Sequence, residues 1–192
     1  MKVEATNASF DEEGFFRTGD MVKRAPDGSV FLEGRAQTDY IRYRGLRVPI
    51  LEVVACLLDQ PFISEAYVVP VLDIFAGGKQ VAIVIRLRKS SSVPAELQEG
   101  APKGSALSLH ALRVHLSQFL EEYKLPTILH ILGDEQDVPR SQSGKPLLNA
   151  IAGEFFPQPL EGSLEGLPSE VQVCRTIIRR NPVAWDWGAL RY

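Results

Sequence analysis

Four short pieces of this chain carry residue types that could do chemistry: Phe16-Arg-Thr-Gly-Asp20, Gly34-Arg35, Arg44-Gly-Leu-Arg-Val48 followed by Glu52, and Ser141-Gln-Ser-Gly-Lys145. Between the last two stands Glu122-Tyr-Lys-Leu-Pro126. They offer a carboxylate and an arginine, each behind a glycine, a glycine set among cationic residues, and a loop lysine. Singly, each has a plain reading: Thr-Gly-Asp is a turn and Ser-Gly-Lys a solvated lysine. Within 34–48, Tyr40, Arg42 and Arg44 alternate with Ile41 and Tyr43, the pattern of a half-buried strand with a cationic wet face. Gly45 then breaks the run, which suits a tight turn or a place where a ligand or second backbone comes close.

The elements that must position these residues follow from pattern and punctuation. Around Ala25-Pro-Asp-Gly-Ser29, residues 15–33 predict a short β-meander, opened by Phe15-Phe16, that cannot bury both its faces alone. Residues 50–60 predict an amphipathic helix started by Pro49 and ended by Pro61, with Ile50, Leu51, Val54, Leu57 and Leu58 on its stripe. Two apolar strands follow at 65–72 and 79–87, then a polar loop over 89–105 in which little order is expected. Residues 108–123 predict a long helix capped by Ser108, its apolar side formed by Leu109, Leu112, Val114, His115, Leu116, Phe119 and Leu120. A strand at 127–132, a polar loop at 138–146 and a short helix at 147–156 complete the unit. Beyond Pro157 the chain is broken by proline and glycine, turns helix-like over 171–180, and ends with Trp185 and Trp187, whose apolar area wants a partner.

A chain of 192 residues with 45% apolar and 23% charged residues is of soluble globular type. A net charge of −3 gives no bulk attraction to nucleic acid or anionic lipid. Cys56 and Cys174 lack ligand spacing and read as buried thiols in a reduced compartment. His110, His115 and His130 lack a paired ligand motif, so no metal site is expected. No apolar run approaches the ~20 residues of a membrane span, and the N-terminus lacks a signal-peptide core. The cytoplasm is the expected location.

In order and spacing, the five landmarks resemble the last motifs of the adenylate-forming (AMP-binding) superfamily: acyl-CoA synthetases, nonribosomal-peptide adenylation domains and firefly-type luciferases. The resemblance covers about residues 14–156. It implies an α+β fold: a small C-terminal lid domain, built as a hairpin plus a three-stranded mixed sheet flanked by helices, behind a short β-meander from a large domain. The implied boundaries are 1–34 for the end of the large domain, 35–156 for the lid, and 157–192 for a tail of unknown role. In that family an acid and ATP form an acyl-adenylate with loss of pyrophosphate, and the thiol of CoA or of a carrier-protein pantetheine then displaces AMP.

By this resemblance, Asp20 matches the aspartate that accepts both ribose hydroxyls, since a carboxylate offers two acceptors to a vicinal diol. Arg35 matches an arginine near ribose and phosphate. Lys145 matches the lysine that spans the α-phosphate and the acid, offsetting charge as two anions are brought together. Gly45 matches the turn glycine beside the pantetheine arm. The family's lid rotates between two poses about a hinge, which falls here on Gln37 or Thr38 rather than the usual Asp or Lys. The stretch from Arg35 to Gly45 is one residue longer than is common, and Val54 stands where the helix usually carries a glutamate after Glu52.

The family's phosphate loop, acid pocket and magnesium-binding glutamate belong to a large N-terminal domain that residues 1–13 cannot supply. The implied partners are therefore that domain and a small carboxylic acid. ATP/AMP and CoA or pantetheine are the implied cofactors, none held tightly by this chain alone, with magnesium in the large domain. Two functional readings stand: part of an AMP-forming acid–thiol ligase, inactive alone, or a non-catalytic interaction module keeping the lid fold. A split adenylation domain serving a carrier protein on another chain also stays open. Residues 157–192 contain no phosphopantetheine attachment motif, which favours free CoA.

Overall fold

The structure, a computed structural model, describes residues 9–35, 39–72, 78–157, 168 and 170–174. Gln37, Thr38, Trp185 and Trp187 lie outside the described residues. The fold is α+β with a mixed sheet.

A first hairpin joins β1 (Asp20–Arg24) to β2 (Val30–Arg35), with Asp20 opposite Arg35. The expected opening strand at Phe15-Phe16 is reduced to an isolated bridge between Phe16 and Phe10. Val22, Val30, Phe31 and Leu32 are all exposed on this hairpin. A second hairpin joins β3 (Tyr40–Tyr43) to β4 (Leu46–Pro49). The predicted alternation holds: Ile41 and Tyr43 are buried while Arg42 faces water.

Helix α1 (Ile50–Leu58) leads into β5 (Ile63–Leu72) and β6 (Lys79–Leu87), an antiparallel pair. A short helix α2 (Ala95–Gln98) precedes α3 (Leu109–Leu116) and a 3-10 turn at Glu122–Lys124. Strand β7 (Ile128–Ile131) lies parallel to β6, and α4 (Leu148–Phe155) follows the polar loop. Two apolar clusters sandwich the sheet. Val81, Ile83 and Ile85 of β6 face the first, with β3, β4, α1 and α3; Ala82 and Val84 face the second, with α4. That is the period-two alternation of a strand buried on both faces.

Several expectations need correction. Among the described residues the sheet has four strands, not three, because Gln172–Val173 forms β8 against Ile128 and Leu129. Over 171–174 the helix-like pattern gives way because the outer edge of β7 offers backbone partners, the Cys174 amide donating to the Thr127 carbonyl at 2.8 Å; residues 175–180 lie outside the described residues. The predicted loop over 89–105 is ordered, since Val93 and Leu97 are buried with Leu107 in the first core. The long helix stops at Leu116; Ser117 Oγ donates to the Val114 carbonyl at 2.7 Å, a local bond that competes with helix continuation. Phe119, beyond the helix end, is exposed, and so is Val114, on the helix face away from Leu109, Leu112 and Leu116. On α1 the buried stripe is Ile50, Val53 and Leu57, whereas Leu51 and Leu58 face water. Cys56 and Cys174 are half-buried free thiols rather than fully buried ones.

Gln172 ties β8 to the start of α3. Its Oε1 accepts the Leu109 amide at 2.8 Å, an otherwise orphaned donor of the first helical turn, and its Nε2 donates to the Leu107 carbonyl at 2.8 Å. Ser108 Oγ accepts the Ala111 amide in the ordinary capping manner. Gln172→Ala should therefore cost about 1–3 kcal/mol, read as a lowered urea midpoint of the whole chain.

Candidate functional site

The two ends of the first hairpin bring Asp20 and Arg35 together. Their register places them opposite each other, and Arg35 Nε lies 3.5 Å from Asp20 Oδ1. Asp20 is the better shielded, at 31% side-chain exposure against 69% for Arg35. Gly34 sits at φ 129°, and a Cβ there would come within 3.0 Å of the Asp39 carboxylate. Asp39 accepts the Arg35 amide at 2.8 Å, its own amide donates to the Arg35 carbonyl, and its carbonyl accepts the Ile50 amide at 2.8 Å. It thus fastens the end of β2 to the start of α1, a role that no local pattern around it announces.

The second hairpin turns on two residues, Arg44 at φ 52° and Gly45 at φ 83°, flanked by the pair Tyr43 and Leu46. Positive φ at both central positions suits the twist of a two-residue hairpin turn. Arg44 lies over the Tyr43 ring at 4.9 Å. Nothing stands within 4 Å of where a Gly45 Cβ would be, so the turn projects into open space. Behind it, Lys124 is buried and donates to both Glu52 oxygens, at 2.7 and 2.9 Å, and also meets Glu121. Burial lowers its pKa, but hydrogen bonds to Glu121 and Glu52 outweigh that and hold it above the usual lysine value. The sequence landmark Glu122-Tyr-Lys-Leu-Pro126 thus locks the 3-10 turn to α1.

Lys145 lies on a separate tight loop. The Ser141 amide donates to the Lys145 carbonyl at 2.8 Å, Gly144 closes the turn at φ 79°, and the Lys145 amide donates to Ser141 Oγ at 3.2 Å. The Lys145 side chain is exposed. The structure therefore brings Asp20 and Arg35 together and sets Gly45 and Lys145 on two different turns. The Gly45 hairpin packs into the first core and the Lys145 loop, through Val138 and Leu148, into the second, on opposite faces of the sheet.

Sequence reading missed the polar network under that loop. Tyr67 Oη donates to Glu65 Oε2 at 2.6 Å, and Arg86 Nε donates to Glu65 Oε1 at 2.7 Å. Arg86 also holds the Gly133 and Gln136 carbonyls, at 2.9 and 2.6 Å. Arg140 donates to Tyr67 Oη at 2.8 Å. The available signal was Glu65, Tyr67 and Arg86 on two largely apolar strands. The Tyr67 bond, opposed by partial burial and aided by Arg86, holds the Glu65 carboxyl below the usual glutamate range. His130 is also buried, stacked on Phe155 at 4.8 Å, and burial pushes its pKa down; it is a core residue of the second cluster's side. Among the described residues no group of three or more His, Cys, Asp or Glu side chains converges as metal donors, and no helix is long and apolar enough to cross a membrane.

Two outcomes follow. Lys124→Ala should cost about 1.5–3 kcal/mol, the range for hydrogen bonds to charged groups, measured by urea unfolding at neutral pH. Because the Glu65 pKa is lowered in the fold, its contribution is present above the unfolded value near 4.5 and is lost as pH falls through the lower folded value. Glu65→Gln should accordingly show a flatter stability profile than the parent below that pH, in unfolding titrations carried from neutral into acid.

No protein-family model matches the chain. Among known proteins it is 34% identical over 155 residues to the acyl-CoA ligase oryP of Aspergillus oryzae, covering 81% of this chain and 26% of that protein. It is 31% identical over 156 residues to the mitochondrial malonate–CoA ligase ACSF3 of Homo sapiens, covering 81% and 24%. Among solved structures it matches o-succinylbenzoate CoA synthetase (MenE) from Bacillus subtilis, in complex with its acyl-adenylate intermediate, with TM-score 0.59, 26% identity, and coverage of 82% and 27%. It matches ATP-bound MatB from Rhodopseudomonas palustris with TM-score 0.60, 25% identity, and coverage of 80% and 27%. The chain thus spans about a quarter of the length of the relatives it matches. With the ordered landmarks and the shared fold, this places the chain in the adenylate-forming, AMP-binding superfamily, as a counterpart of its C-terminal portion.

Proposed function

We propose that this chain is the lid of an ATP-dependent, AMP-forming acid–thiol ligase and works with a phosphate-loop domain outside these 192 residues. The observation that carries this reading is the placement of the Gly45 turn and the Lys145 loop on opposite faces of one sheet. Two groups so placed cannot enter one cleft together, but a rotation of the lid presents them in turn. In the first pose Lys145 reaches the acid carboxylate and the α-phosphate and offsets their repulsion while the acyl–phosphate bond forms and pyrophosphate leaves. Asp20 would hold the ribose hydroxyls and Arg35 the neighbouring anionic oxygens. In the second pose the Gly45 turn, with no side chain, leaves room for the pantetheine arm of CoA or a carrier protein, whose sulfur displaces AMP. The rotation would take place across Gln37 and Thr38.

The exposed apolar side chains of β1 and β2 support the same reading, since they suit a strand pair that continues a sheet in a larger domain. Magnesium, where the reaction uses it, finds its donors in that larger domain. The cytoplasm remains the proposed location.

The test separates the two half-reactions in an enzyme reconstituted by fusing the large domain of a relative ahead of residue 14. Lys145→Ala should lower adenylate formation, read as pyrophosphate release, by about 100-fold or more, and spare thioester formation from presynthesised adenylate. Gly45→Trp should do the reverse. Equal damage to both steps by both substitutions would defeat the two-pose assignment. The 192-residue chain alone should show no ATP–pyrophosphate exchange with carboxylic acids.

A further inference from the structure

The Lys145 loop has almost no apolar hold on the protein. Val138 is buried at its start, but residues 142–147 are all exposed, so its shape rests on polar bonds. Arg140 supplies the bond that joins loop to sheet. One guanidinium nitrogen donates to Tyr67 Oη on β5 at 2.8 Å and lies 3.8 Å from Glu65 Oε2; the other donates to the Gly144 carbonyl at 3.2 Å, next to Lys145. Tyr67 and Arg86 in turn fix the Glu65 carboxylate, and Arg86 holds the Gly133 and Gln136 carbonyls of the preceding chain. The Arg140–Pro146 bridge closes the loop across its base. A planar guanidinium with donors on two sides can hold both ends of this span at once, which an ammonium cannot.

We propose that Arg140 is the positioning residue for Lys145: by spanning Tyr67 Oη and the Gly144 carbonyl, it aims the loop that carries the lysine. The catalytic part of this inference rests on the role proposed for Lys145 above. Burial holds the loop only at its ends, through Val138 and Leu148, so the order of 142–147 and the aim of the lysine depend on the same few bonds. A small displacement of a reacting group is costly to rate even where the fold is intact.

The test has an arm on this chain as it stands and an arm on the reconstituted enzyme. In the chain, hydrogen exchange by NMR should show the Ser141 and Leu147 amides, which donate to the Lys145 and Pro139 carbonyls, exchanging about tenfold faster in Arg140→Gln. Amides of β6 should be unchanged. Tyr67→Phe should give a smaller increase, not additive with Arg140→Gln, and Arg140→Lys should restore protection only in part. In the enzyme, Arg140→Gln should lower kcat for adenylate formation about tenfold to a hundredfold, with KM for ATP and the thioester step little changed. Unchanged loop exchange overturns the proposal. Faster exchange with undiminished adenylate formation, where Lys145→Ala still abolishes it, also overturns it. Should Lys145→Ala leave adenylate formation intact while exchange responds as expected, the role of Lys145 fails, and the catalytic part of this proposal with it, while the loop-holding bond stands.

Discussion

The middle of strand β6 has no wet face. Val81 through Ile85 are wholly buried, and its neighbours are antiparallel β5 on one side and parallel β7 on the other. A strand in that position needs an apolar layer on each face, because exposing either would give up about 25 cal/mol for every square ångström returned to water. The rest of the fold answers that need. The β3–β4 hairpin, α1 and α3 cover one face, and α4 covers the other. The loop joining β7 to α4 must then lie on the side away from the hairpin. The separation of Lys145 from Gly45 is thus a consequence of how the sheet is covered.

That constraint also explains what the sequence disclosed. The period-two run at 40–43, the apolar run at 79–87 and the turn at Pro26-Asp27-Gly28 could be read directly, because each is set by neighbours in sequence. The order of motifs from Asp20 to Lys145 could be read as well, and the similarity to known ligases bears out the family it pointed to. What could not be read depends on partners distant along the chain. Strand β8 exists because β7 has an open edge, and Gln172 is recruited by a helix start 63 residues away. The end of α3 at Ser117 turns on one hydroxyl choosing a carbonyl within its own turn. Glu65, Tyr67, Arg86 and Arg140 come from three stretches with nothing in their spacing to join them.

Two kinds of force therefore divide the molecule. Apolar burial fixes the sheet and its helices, with little sensitivity to salt or moderate pH. The segments that carry the candidate chemistry add hydrogen bonds and ion pairs to the apolar contacts at their bases: Asp39 across the end of β2, Lys124 behind the second hairpin, and Arg140 beneath the Lys145 loop. Each such bond is worth only about 1–3 kcal/mol net, the upper end where a partner is charged, small beside the total from the core. Removing one would leave the sheet folded and still change how a loop is aimed. A loop held this way can also give when a second surface closes over it, at an energy that binding readily supplies. In the two-pose lid proposed above, the groups that act belong outside the core, on anchors strong enough to aim them and weak enough to yield.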